Sequence, residues 1–154
     1  AGIVVAGLGE DNHLYILADR TVQGSPEKWA QAAVNAYYEF SADRLVAEVN
    51  NGGEMVEYTL RTGDSGIPYT AVHASRGKQT RAEPISSLYE QGRVHHVGTF
   101  ADLEDQLCSW IPGEKSPDRL DALVWALTEL DVVGAEPAGE TIPETTSYIS
   151  SGPY

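Results

Sequence analysis

Two carboxylates, Glu48 and Asp121, stand where plain packing would favour another residue, and Asp118 lies beside the second. In "RLVAEVNNGGEM" (residues 44–55), Glu48 interrupts Leu45, Val46, Ala47 and Val49, which read as a short strand buried on both faces. Asn50, Asn51, Gly52 and Gly53 follow at once, glycines that let the backbone turn tightly. A carboxylate at the end of such a strand is costly unless something pairs with it. In "SPDRLDALVWALTEL", Leu120, Leu123, Val124 and Leu127 form the apolar stripe of a helix. Asp118, Asp121, Ala122 and Trp125 repeat that spacing on another face, with Asp121 at the border of the buried stripe. A negative charge in the first turn favours the helix dipole, which accounts for Asp118 better than for Asp121. Carboxylate-only clusters bind hard cations such as Mg²⁺ or Mn²⁺. Two such ions can clamp the attacking and leaving oxygens of a phosphodiester displacement. Structural ion pairing is the competing explanation.

The other chemistry-bearing residues are sparser. Arg76, Lys78 and Arg81 form the densest basic cluster, in the stretch "RGKQTR", which reads as a loop. Such a loop is either solvated or grips a DNA backbone. His95 and His96 alternate across a presumed strand, so at most one can face a site; both read as structural. His13 and His73 carry no signal. Cys108 reads as a buried thiol, and Tyr37, Tyr38, Trp29 and Trp125 read as core.

Positioning falls to a series of alternating elements. "AGIVVAGLGEDNHLYILADR" is two apolar runs around a Gly/Asp/Asn turn, hence a β-hairpin rather than a dinucleotide fingerprint, which must open a helix. Ser25 and Pro26 open a helix whose face is Trp29, Ala32, Ala33, Ala36, Tyr37 and Phe40. The strand of Glu48 follows, then a helix in "GGEMVEYTLRTG" and a strand in "IPYTAVHAS". After the basic loop come a helix in "EPISSLYEQG", with Pro84 near its start and Gly92 past its end, a short strand "VHHVG" and a short helix "DLEDQLCSW". The helix "SPDRLDALVWALTEL" is the last. From Glu129 onward the chain is rich in Glu, Pro, Gly, Thr and Ser without Lys or Arg. Residues 131–154 read as an acidic, flexible tail outside the core. The pattern predicts an α/β domain over residues 1–130, with an antiparallel hairpin followed by parallel strands in one mixed sheet.

Composition narrows the classes. The 154 residues suit one core, and a formal net charge of −13 argues against a broad nucleic-acid-binding surface. An enzyme that meets DNA through metal ions and a local basic loop stays open. One cysteine excludes a disulfide framework and fits a reducing compartment. No apolar run approaches a membrane span, no signal peptide is visible, and no P-loop ATPase motif occurs. The chain starts without Met, directly in a strand, and reads as a fragment of something longer.

Three blocks in order, "VAEVNNGGEM", "ASRGKQTRAEPISSLYEQGRVHHVG" and "SPDRLDALVWALTEL", resemble the C-terminal nuclease domain of the large terminase subunit of tailed bacteriophages. The resemblance runs from about Ala1 to Leu130. It implies an RNase H-like fold and a nuclease that cuts concatemeric double-stranded viral DNA during packaging. It also implies three acidic positions holding two divalent ions, Mg²⁺ or Mn²⁺. Glu48 matches the second and Asp121 the third, with Asp118 beside it, while Arg76, Lys78 and Arg81 would contact DNA. The family's first acidic ligand lies on a strand upstream of the hairpin, which the chain does not include. Partners implied are the portal, the small terminase subunit and the protein's own ATPase domain, at the procapsid in the host cytoplasm. Two other functions compete: a junction-resolvase type of RNase H-like nuclease, and a non-catalytic docking module that uses its acidic surface.

Overall fold

The computed structural model describes residues 1–49, 53–74, 77–134 and 146–152. Strands β1 (Ile3–Leu8) and β2 (Leu14–Asp19) form the expected hairpin. Its turn places Asn12 at φ 59°, a left-handed conformation that asparagine tolerates. Helix α1 (Pro26–Glu39) follows, with Ser25 and Pro26 at its start, then β3 (Arg44–Glu48), α2 (Gly53–Gly63) and β4 (Tyr69–Val72). Next come α3 (Lys78–Glu90), β5 (Val94–His96), α4 (Ala101–Ser109), α5 (Asp118–Gly134) and β6 (Thr146–Ser151).

The strands form one sheet in the order β4-β3-β6-β1-β2-β5. β1 is antiparallel to both β2 and β6, whereas β3 runs parallel to β4 and β6, and β2 parallel to β5. The central strands β1 and β3 are apolar on both faces because helices cover both. On one side Ile3, Val5, Leu45, Ala47 and Ile149 pack against Trp29, Ala33, Val56 and Leu60 of α1 and α2. On the other, Val4, Ala6, Ile16 and Val46 pack against Leu88, Leu103, Leu123 and Leu127 of α3, α4 and α5. Alternation along β3 therefore puts Glu48 on the Val46 side, under α3 and α5.

Four expectations are corrected. The stretch "RGKQTR" is a loop only up to Gly77, because α3 begins at Lys78. Pro84 thus lies inside the helix, where it removes one backbone bond; the burial of Ile85 and Leu88 holds the helix together around it. Residues 131–154 are not wholly a tail. α5 continues to Gly134, and β6 is inserted between β1 and β3, with Ile149 and Ser150 fully buried. Backbone pairing on both edges of β6 substitutes for the apolar alternation that its sequence lacks. Cys108 is exposed, since α4 buries its Leu103 face and Cys108 lies about 140° around the helix from it. Tyr38 is 58% exposed and donates its hydroxyl to Asp64, while Trp29 and Trp125 are core as expected. Asn50 to Gly52, like Arg76, lie outside the described residues.

Candidate active site

Glu48 ends β3 as the strand leaves the sheet, and it is only 5% exposed. Its Oε2 accepts a hydrogen bond from the indole Nε1 of Trp125 at 3.0 Å. Its Oε1 lies 3.7 Å from Nη1 of Arg81, which also stacks over the Trp125 ring at 4.6 Å from the centroid. The guanidinium beside the carboxylate and the indole donor on its oxygen offset part of the cost of burying it. Asp121 is equally buried, at 4%, and its Oδ1 accepts from the hydroxyl of Ser116 at 2.7 Å.

One helical turn separates Asp121 from Trp125, so the two project from the same side of α5. Trp125 reaches Glu48 directly. The start of α5 rests on the ends of β1 and β6 so closely that only glycine fits there. A Cβ on Gly2 would lie 2.0 Å from the Asp118 carbonyl oxygen, and one on Gly152 would lie 2.8 Å from it and 3.5 Å from Asp121 Cβ. Ser151, just before Gly152, is in register with Ala47, just before Glu48. Glu48 and Asp121 therefore share one face and one end of the sheet.

Asp118 is far less buried than that pair. Its side chain is 43% exposed and stands 3.8 Å from the amino group of Ala1. Among the described residues, no group of three or more His, Cys, Asp or Glu side chains could hold a metal ion. Carboxylate oxygen is the donor that hard divalent cations prefer, and Glu48 and Asp121 supply it in a water-poor setting. The donor type suits such a cation, and the described residues do not supply a closed two-ion cage.

His95 and His96 lie on β5, at the far edge of the sheet from β3, and neither reaches the carboxylates. His95 stacks on His13 and Tyr15, with His13 Nδ1 2.7 Å from its Nε2. His96 lies between the Tyr89 hydroxyl at 2.8 Å and Glu104 at 3.0 Å. The hydrogen bond to His96 holds the Glu104 carboxyl below its ordinary range, and burial pushes the Tyr89 phenol up. These three residues flank a groove of about 560 Å³ between α3, α4 and α5, beside the carboxylates and separate from them. Lys78 opens α3, and Arg81, expected in a basic loop either solvated or gripping DNA, has a side chain only 9% exposed. Sequence spacing gave no sign of this, because Glu48 and Trp125, its two neighbours, lie on elements remote in the chain.

No curated protein and no solved structure matches the chain. A family model, described as the terminase RNaseH-like domain, matches residues 1–130. That span takes in the hairpin, β3 with Glu48, and α5 as far as Leu130. The six-stranded mixed sheet with helices on both faces is consistent with an RNase H-like fold, and the family supports a nuclease-type role. The chain belongs to the terminase RNaseH-like domain family.

Proposed function

We propose that this domain is a divalent-metal-dependent endonuclease of a phage packaging terminase, cutting concatemeric double-stranded viral DNA. The observation that carries this reading is the pair of buried carboxylates, Glu48 and Asp121, at one end of the sheet in a chain of that family. Glu48 and Asp121 would be the ligands. A bound Mg²⁺ or Mn²⁺ would supply Lewis acidity, an activated water and stabilisation of the charge on the leaving oxygen. The chain's own residues set the geometry: Trp125 fixes one oxygen of Glu48, and Ser116 fixes one of Asp121. Asp118, half exposed on the first turn of α5, would act on the water side of the pair. A strand upstream of Ala1, where the family carries its first acidic residue, would complete the ligand set. Arg76 and Lys78 would hold the DNA backbone at the entry to α3. The portal, the small subunit and an ATPase domain would be its partners at the procapsid in the host cytoplasm.

The test is relaxation of supercoiled plasmid with Mn²⁺ or Mg²⁺ for the wild type, Glu48→Gln and Asp121→Asn. Both substitutions keep side-chain volume and remove the anionic ligand. Nicking should need the divalent ion and should fall in each variant to the background seen with EDTA. Wild-type nicking in either variant removes that residue from the site. Absence of nicking at every metal concentration, in a longer chain that includes the upstream strand as well, favours the docking module.

A further inference from the structure

We propose that Arg81 is the resident cation of the carboxylate site, resting on Glu48 without metal and turning to a DNA phosphate when a divalent ion takes Glu48. This rests on the metal-dependent reading above and assigns a phosphate-binding residue to the same site.

Three observations support it. The side chain is 9% exposed and the Glu48 side chain 1%, so the guanidinium has left water almost completely. It has gained few hydrogen bonds in return. Nη1 is buried without a hydrogen-bond partner among the described residues, and 3.7 Å to Glu48 is an ion pair rather than a hydrogen bond. A buried guanidinium with unused donors is costly for a purely structural role. Among the described residues it also rests on the face of Trp125, a stacked contact that lets the planar group pivot without losing its platform. Finally, α3 carries it to the same side of the sheet as α5, facing the end where Glu48 and Asp121 lie.

The electrostatics then dictate an exchange. A divalent cation on Glu48 repels a guanidinium a few ångströms away, and that group has five donors suited to two phosphate oxygens. DNA brought to the cation presents such oxygens beside it. Arg81 would thus neutralise Glu48 in the empty site and bind phosphate in the loaded one. It is a substrate-contacting residue, with no role as a metal ligand.

The experiment measures two quantities for wild type and Arg81→Gln. One is Mn²⁺ affinity without DNA, by calorimetry. The other is affinity for a short duplex across a NaCl series, with and without Ca²⁺ so that binding is read without cleavage. Removing the competing charge should tighten Mn²⁺ binding by about tenfold or more. With Ca²⁺, Arg81→Gln should bind the duplex more weakly, and its log–log salt slope should be shallower by about 0.9, the value of one phosphate contact. Without Ca²⁺ the slopes should coincide, because Arg81 is then committed to Glu48. Unchanged or weaker Mn²⁺ affinity in the variant, or equal slopes with Ca²⁺, overturns the exchange while the nuclease reading stands. A wild type that binds no Mn²⁺ overturns both. If Arg81→Gln does not fold, Arg81→Lys decides: its point charge cannot stack or bind two oxygens at once, so duplex affinity should drop several-fold with Ca²⁺ only. Equal affinity of the Lys variant and the wild type also overturns the proposal.

Discussion

Glu48 is held from two sides by groups that carry no acidic signature of their own. Trp125 donates to one oxygen and Arg81 faces the other. This reverses the simplest expectation for removing a buried acid. Truncating Glu48 leaves a nearly buried guanidinium without its counter-charge, a change that typically costs roughly 3–5 kcal/mol. Glu48→Ala should therefore lower the urea midpoint strongly, and Arg81→Met/Glu48→Met, which removes both charges, should recover most of the loss. Trp125→Phe keeps an aromatic face but removes the donor and part of the ring volume, so it should cost at least the roughly 1–3 kcal/mol of the lost hydrogen bond. Equal midpoints for Glu48→Ala and wild type would mean that the ion pair does not exist in solution. The sequence disclosed Glu48 and Asp121 because a charge inside an apolar run violates a local pattern. It could not disclose Arg81, because an arginine between polar residues violates nothing until its neighbours in space are known.

Elements with a strong local code were legible. The hairpin has its turn residues, α1 has Ser-Pro at its start, and α5 has a long apolar period. The start of α3 was misplaced because Pro84 looks like a first-turn residue, and in this helix tertiary burial outweighs that local signal. β6 was missed for a different reason. "TSYISS" has only Tyr148 and Ile149 as large side chains, and its place depends on backbone edges offered by β1 and β3. That placement is testable residue by residue. Ile149 is fully buried, so Ile149→Ala should cost about 2–5 kcal/mol. The Ser150 hydroxyl is buried without a partner among the described residues, so Ser150→Ala should be neutral or slightly stabilising. A neutral Ile149→Ala in chemical denaturation would remove β6 from the sheet. β1 has only two edges, taken by β2 and β6. Any further strand beside β1 must displace β6, and in a longer chain carrying such a strand Ile149→Ala should lose its effect.

At the scale of the whole molecule, charge decides how DNA can approach. The chain has 23 acidic and 10 basic residues, for a net charge of −13. Much of the positive charge is already engaged. Arg20 pairs with Glu39 at 2.6 Å, Arg61 with Glu57 at 2.7 Å, and Arg119 with Asp19 at 2.7 Å and Asp102 at 3.0 Å. Arg93 faces Asp131 at 3.9 Å, and Arg81 faces Glu48. A duplex nearing such a surface meets repulsion that a divalent cation at the carboxylates, or basic residues near the start of α3, would have to offset. Without divalent ions, binding to a short duplex should be weak. It should also stay flat or strengthen as NaCl rises from about 50 to 200 mM, because salt screens repulsion and few phosphate contacts release counterions. Added Ca²⁺ should produce binding that then weakens with NaCl in the ordinary way. Fluorescence anisotropy of a labelled duplex across the two salt series measures both arms. Steep salt weakening in the absence of divalent ions would reveal a basic DNA surface working without the carboxylates, and the region of Arg76 and Lys78 would be the first place to substitute.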